Sequence, residues 1–267
     1  MRGVIFWQTL RHHWRQALYW GGGIGLLGIY ILLALPNVDM LEQYAQLMET
    51  MPPLVLQAFG ATDAAQLATP EGFIGFGYFS YMMLIMGAYA VGAGLNVTAV
   101  EEDRGILDVL LSAPISRTQL MIEKILAYSV IILLIILVSF GFLAAGAVFS
   151  IPMDMGKLFA GSLNMLPASL TVLGFTVFVG AWVRVRTTAL AISAGFVVVG
   201  YFFDFIGRAA SESVINVLTK ISYYSYYGGG QFMSTGVVWG NVAILIAVGL
   251  ILFVAGVAVF QRRDIGL

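Results

Sequence analysis

Cysteine is absent from the 267 residues, which excludes disulfides, zinc–thiolate sites and thiol catalysis. Charge is almost as scarce. Only 10% of the residues are charged and 60% are hydrophobic, whereas a water-facing domain carries about 25% charged residues. Much of the surface must therefore face something other than water, and bilayer hydrocarbon is the apolar solvent available to it. The net charge of −1 leaves no basic face for nucleic acid. The two histidines, His12 and His13, are adjacent, lack a companion metal ligand, and read as interfacial residues. An interrupted stretch bearing Arg and Trp precedes the first long apolar run, so the start does not read as a cleavable signal.

What is present is long apolar runs. Six are of the length that crosses a bilayer, about 20 helical residues: 17–35, 73–98, 125–149, 158–183, 187–205 and 237–260. None alternates as a membrane barrel strand would. The pattern predicts an all-α integral membrane protein, one transmembrane domain over 1–267. Arg2, Arg11, Arg15, Arg104, Arg117, Lys124, Arg184, Arg186, Arg262 and Arg263 fall on one side of this six-span layout; Lys157, Arg208 and Lys220 fall on the other. The bias places both termini in the cytoplasm. The five tryptophans, Trp7, Trp14, Trp20, Trp182 and Trp239, sit at or just beyond span ends, where interfacial rings belong.

Outside the spans, residues 3–15 read as an amphipathic helix lying in the cytoplasmic interface. The alternative is that they are the first turns of span one. Residues 37–72 and 206–236 form outer segments. The second contains the run Tyr223-Tyr224-Ser225-Tyr226-Tyr227, which suits either an aromatic belt or an outer gate. Asp204, at the outer end of the weakest span, reads as solvated at the interface, with a functional intramembrane carboxylate as the alternative.

The cytoplasmic stretch 99–124 holds eight of the chain's 27 charged residues. Its core is Glu101-Glu102-Asp103-Arg104-Gly105-Ile106-Leu107-Asp108-Val109-Leu110-Leu111-Ser112-Ala113-Pro114. On a helix, Leu107, Leu110 and Leu111 share one face and Asp108 points elsewhere. The acids come first, where a helix N-terminus favours negative charge, and Pro114 ends the helix. Such a helix either rests on lipid headgroups or docks in a groove of a soluble partner.

This run, continuing through Ile115-Ser116-Arg117 to Lys124, resembles the signature of the ABC-2 exporter permeases: glutamates, Gly-Thr-Leu-Glu, leucines, then Pro-Val-Ser-Arg and a lysine. Here Ile106 stands for the threonine and Asp108 for the glutamate. Thr69-Pro70-Glu71-Gly72-Phe73, Ile221 to Tyr227, and Phe260-Gln261-Arg262-Arg263-Asp264-Ile265 also match the small bacterial permeases of that family. The resemblance implies that residues 101–113 are a cytoplasmic coupling helix between spans two and three. Glu101, Glu102, Arg104, Gly105, Ile106, Leu107, Asp108, Leu110, Leu111 and Pro114 would then engage a separate ATP-binding cassette subunit. It further implies a second permease copy, identical or related, and a place in the bacterial cytoplasmic membrane among lipid. ATP and Mg belong on the partner, and no G-x-x-x-x-G-K-[ST] run occurs in this chain. The chain is thus expected to be a transport subunit rather than an enzyme. It would export an amphipathic or hydrophobic cargo along a path for which Asn96, Asn164 and Thr171 are candidates, although polar residues in spans more often hold helices together. A stand-alone ion-coupled transporter would need intramembrane carboxylates, and only Asp204 is near that depth. A membrane enzyme would need clustered His, Asp or Glu there.

Overall fold

The computed structural model describes residues 3–34, 69–100, 115–148, 153–183, 185–210 and 214–262, with a few positions between 43 and 56. The segment 101–114, and with it every residue assigned to ATPase coupling, lies outside the described residues. Among the described residues, six helices are long and apolar enough to cross a membrane: α1 (Val4–Leu33), α2 (Pro70–Leu95), α3 (Arg117–Val148), α4 (Met155–Trp182), α5 (Arg186–Ala209) and α9 (Trp239–Arg262). Between α5 and α9 the described residues form a 3-10 turn (Val214–Asn216) and three short α-helices, α6 (Val217–Ile221), α7 (Tyr223–Tyr227) and α8 (Phe232–Thr235). No strand occurs among the described residues. The chain is an all-α membrane protein of six spans.

Four of the six helices, α1, α3, α4 and α5, are longer than the predicted spans, mostly at their polar ends. A hydropathy window sees only the apolar run, but backbone hydrogen bonding continues into charged turns at no penalty. Residues 4–15 illustrate this. They are not a separate interfacial helix but the first turns of α1, continuous over 30 residues. No proline interrupts the chain there, so the helix has no reason to break.

Helix α4 is central: 72% of its most apolar window is buried, against 17% for α9 and 28% for α5. It packs against α2, α3, α5 and α9. Helices α1 and α3 run parallel, side by side: Ile5 meets Glu123, Gly21 meets Val138, and Gly25 meets Phe142. A Cβ at Gly25 would lie 2.5 Å from the Phe142 Cβ. The helices can approach that closely because glycine has no side chain, the small-residue packing membrane helices rely on. All five tryptophan side chains are exposed on the outside of the bundle.

Near its start, α2 contains a five-residue π-helical turn, Gly75–Phe79. Gly75 there packs directly on the backbone of Gly230, leaving no room for a side chain at either position.

Candidate functional site: two polar ends of the bundle

The first polar end is where α1 and α3 begin and where α2 and α4 finish. Arg11, Arg15, Arg117, Lys124, Arg186 and Arg262 gather at this end, whereas Lys157, Arg208 and Lys220 lie at the other.

Two buried charges organise it. Glu123, in the first turns of α3, accepts hydrogen bonds from the backbone N–H groups of Gly3 (2.8 Å), Ile5 (2.9 Å) and Phe6 (3.1 Å). Gln119 Nε2, one turn earlier on α3, donates to the same carboxylate at 2.8 Å. The first N–H groups of a helix have no partner inside it, and the helix dipole favours an anion there. Glu123 thus supplies from another helix the cap that α1 cannot supply itself: Gly3 has no capping side chain and takes a left-handed φ of 87°. Its neighbour Lys124 is also buried and donates through Nζ to the Val97 carbonyl at 3.4 Å, in the turn that follows α2. These adjacent residues tie the start of α3 to the start of α1 and to the end of α2. In the chain, residues 101–114 connect the end of α2 to the start of α3.

Further polar contacts join the same end. Tyr128 Oη lies 3.4 Å from His13 Nε2, Tyr89 donates to Gln16 (3.1 Å), and Gln261 donates to Thr118 (2.5 Å). His13 therefore faces a tyrosine within the bundle, while exposed His12 stacks edge-on against it.

The opposite end is closed by the 222–230 segment. The tyrosines there do not form a belt: Tyr223, Tyr224 and Tyr227 are buried. Tyr227 donates to the Phe79 carbonyl (3.0 Å) and Tyr224 to the Ser80 carbonyl, both at the π-helical turn. The Ser80 hydroxyl accepts from the Gly230 N–H at 3.1 Å. Ser222 donates to Gly200 on α5 (2.5 Å), and Asn164 on α4 donates to the Tyr227 carbonyl (3.0 Å). Asp204 is not solvated as expected. It is 6% exposed and takes Arg208 Nε at 2.7 Å and Ser225 Oγ at 2.6 Å. A membrane carboxylate left alone would be costly; one turn of helix supplies the guanidinium and the tyrosine segment supplies the hydroxyl. A small pocket borders the pair, walled by Phe76, Tyr81, Tyr201 and Tyr224.

The three path candidates are not brought together. Asn96, half-buried, is the residue that follows the last turn of α2, at the first end. Asn164 is engaged at the opposite end. Thr171 lies near the middle of α4, its hydroxyl 2.9 Å from the Leu245 carbonyl of α9 and 3.0 Å from that of Pro167. Asn164 and Thr171 thus make the interhelical bonds that polar residues commonly make in membranes. Glu123 and Ser80 were not legible from sequence, since their partners lie 117–120 and 150 residues away.

A family model described as ABC-2 family transporter protein matches residues 7–265. The chain belongs to that family. As an ABC-2 member it is the membrane-spanning permease of an ABC transporter, a class that normally works with an ATPase subunit, and the membrane role does not itself include catalysis. No curated protein matches the chain. The two polar ends just described are therefore the two ends of an ABC-2 permease domain.

Proposed function

We propose that this permease forms the path of an ATP-driven exporter, coupled through the 101–113 helix to a separate ATP-binding cassette subunit. The observation that carries the reading is the paired anchoring of Glu123 and Lys124, which fixes both chain segments flanking that helix. A docked helix can push on the spans only if its roots are held, and here they are held to three helices. Both termini and the Glu123 end face the cytoplasm in this reading, as the basic-residue bias favours. Two permease copies, identical or related, enclose the path. ATP binding draws the ATPase subunits together, the coupling helices follow, and the spans pass from inward- to outward-facing, a rigid-body switch between two states.

The cargo is amphipathic or hydrophobic, because a multivalent anion or bare ion would be poorly solvated among spans so poor in charge. A second reading, a stand-alone ion-coupled transporter, would rest on Asp204, but that carboxylate is already paired with Arg208.

Leu110→Asp tests the coupling. Each buried leucine contributes about 1.5–3 kcal/mol by transfer, and a carboxylate placed in an apolar groove finds no partner there. In a pull-down the variant loses the ATPase subunit and transport stops, whereas Glu101→Gln removes a single charge, of the kind whose solvated ion pairs are worth about 0–1 kcal/mol, and keeps most of both. Wild-type yield and transport by Leu110→Asp would refute the docking. In the same preparation the ATPase rate responds to amphipathic compounds; a response to sodium alone would refute the cargo class.

A further inference from the structure

Helix α1 is longer than a membrane requires. Thirty residues rise about 45 Å, and the hydrocarbon is about 30 Å thick. Residues 17–33 carry no charge, so the excess lies at the N-terminal end, in the headgroup layer.

That end has two faces. Ile5 and Thr9 are buried against α3, where Glu123 holds the backbone. Val4, Trp7, Gln8, Arg11, Trp14 and Arg15 are all exposed, at the three- and four-residue spacing of a single helical stripe. Beside the stripe runs an open groove of about 700 Å³ whose walls include Trp7, Leu10, Trp14 and, from α3, Leu134. Its walls are overwhelmingly apolar, and Gln8 and Arg11 stand among them. The Arg15 guanidinium carbon lies 5.9 Å from the centre of the Trp14 ring, at the same level. Helix α1 contains no acidic residue, and the nearby Glu123 is turned to the other face and engaged with backbone N–H groups.

We propose that this groove is a binding site for one anionic phospholipid. Its phosphate sits between Arg11 and Arg15, and one acyl chain runs from there past Trp14 to Leu134. Three features select this occupant. The size is that of a small-molecule site, which runs about 300–1,000 Å³. Indole rings are at home at the headgroup boundary, where one edge is apolar and the N–H is wet. Two guanidiniums with no acid on the helix favour a phosphodiester bearing net negative charge over a zwitterionic headgroup, whose ammonium they repel. A free phosphate would leave the apolar wall unfilled.

The test uses the full-length chain, delipidated in detergent and titrated separately with phosphatidylglycerol and phosphatidylcholine, with bound lipids counted by native mass spectrometry. The expected result is one tightly held phosphatidylglycerol per chain, preferred over phosphatidylcholine about ten-fold or more, the scale of two arginines near an anionic surface. Arg11→Gln with Arg15→Gln brings the two lipids to near-equal binding while thermal stability in detergent is kept, because both side chains are exposed. Equal binding by the wild type, or an undiminished preference in the double variant, overturns the proposal. A third arm places a label at Gln8→Cys, specific because the chain has no other cysteine. Protection of that label by anionic lipid supports the site. Protection only when a second copy or a partner protein is added assigns the groove to protein contact and overturns it.

Discussion

At the end where α1 and α3 begin, two buried charges satisfy backbone groups: Glu123 takes three N–H groups of α1, and Lys124 takes a carbonyl after α2. At the opposite end the joints are mostly neutral. Hydroxyls of Tyr224, Tyr227 and Ser222 and the amide of Asn164 each donate to one carbonyl, spread over α2, α5 and the tyrosine segment. Hydrogen bonds to ionised groups are roughly twice as strong as neutral ones. The first end concentrates its holding power in two adjacent side chains, and the second distributes it over many. One suits a frame that must move as a unit with the loop strung from it. The other suits a closure that can open bond by bond. Among the described residues, the charged joint of the second end is Asp204 with Arg208, which lies along a single helix, and Ser225 carries that carboxylate across to the tyrosine segment.

The largest effect should come from removing the concentrated joint. Glu123→Ala leaves three N–H groups and the Gln119 amide without their acceptor, in a site where the carboxylate is buried. Losing bonds to a buried charged group costs about 1.5–3 kcal/mol apiece at most, and water relieves part of it at Gly3 and Phe6, which are only half-buried. A net loss of about 3 kcal/mol is expected, read as a lower thermal midpoint of the detergent-solubilised chain. Glu123→Gln keeps one acceptor oxygen and loses less. Equal losses for the two variants would break the comparison, because the charge would then contribute nothing.

Much of this fold is legible in the sequence, and the illegible part has a common cause. Each span is found because its apolar run comes close to or exceeds the length that crosses a bilayer, a local property. The joining of residues 4–15 to α1 is only one of two readings the sequence offers, because hydropathy registers solvent and not backbone continuity. Asp204 and Arg208 stand four apart, a spacing that puts them on one helix face, so the ion pair could have been read; the Ser225 contact could not. The same holds for the tyrosine run. A belt and a buried cluster have the same composition, and only the carbonyls of the π-helical turn, some 145 residues earlier, distinguish them. In α2, Gly87 and Gly94 meet Val197 and Thr176 closely. The α1 series Gly21, Gly25 and Gly28 carries the α1–α3 contact and was equally readable as small-residue spacing. The candidate coupling residues were legible only as a motif.

The contact between α1 and α3 transmits the Glu123 frame toward the other end, and it offers a middle-sized effect. Gly25→Leu drives a side chain into Phe142, and overpacking of this kind costs about 1–3 kcal/mol. Gly22 has nothing within 4 Å of where a Cβ would stand, so Gly22→Leu is expected to leave the thermal midpoint unchanged or raise it slightly. A loss as large at Gly22 as at Gly25 would mean that helix flexibility, and not close contact, is what these glycines supply.

The smallest effect belongs to the distributed end, and two neighbouring tyrosines separate its causes. Tyr227→Phe keeps the buried ring and removes one hydroxyl that donates to the Phe79 carbonyl at 3.0 Å. A single neutral bond contributes about 1 kcal/mol net, so the thermal midpoint should fall modestly and far less than for Glu123→Ala. Tyr223 has the same burial and the same chemistry, but its hydroxyl has no hydrogen-bond partner, its ring instead stacking on Phe196. Tyr223→Phe keeps that stack and removes a buried polar atom whose desolvation nothing offsets, which is neutral or stabilising. The two substitutions delete the same atom from the same short helix, so their difference isolates the hydrogen bond from ring packing and from burial. If Tyr223→Phe destabilises as much as Tyr227→Phe, the hydroxyl bonds are not what close this end, and the contrast with the Glu123 end reduces to packing alone.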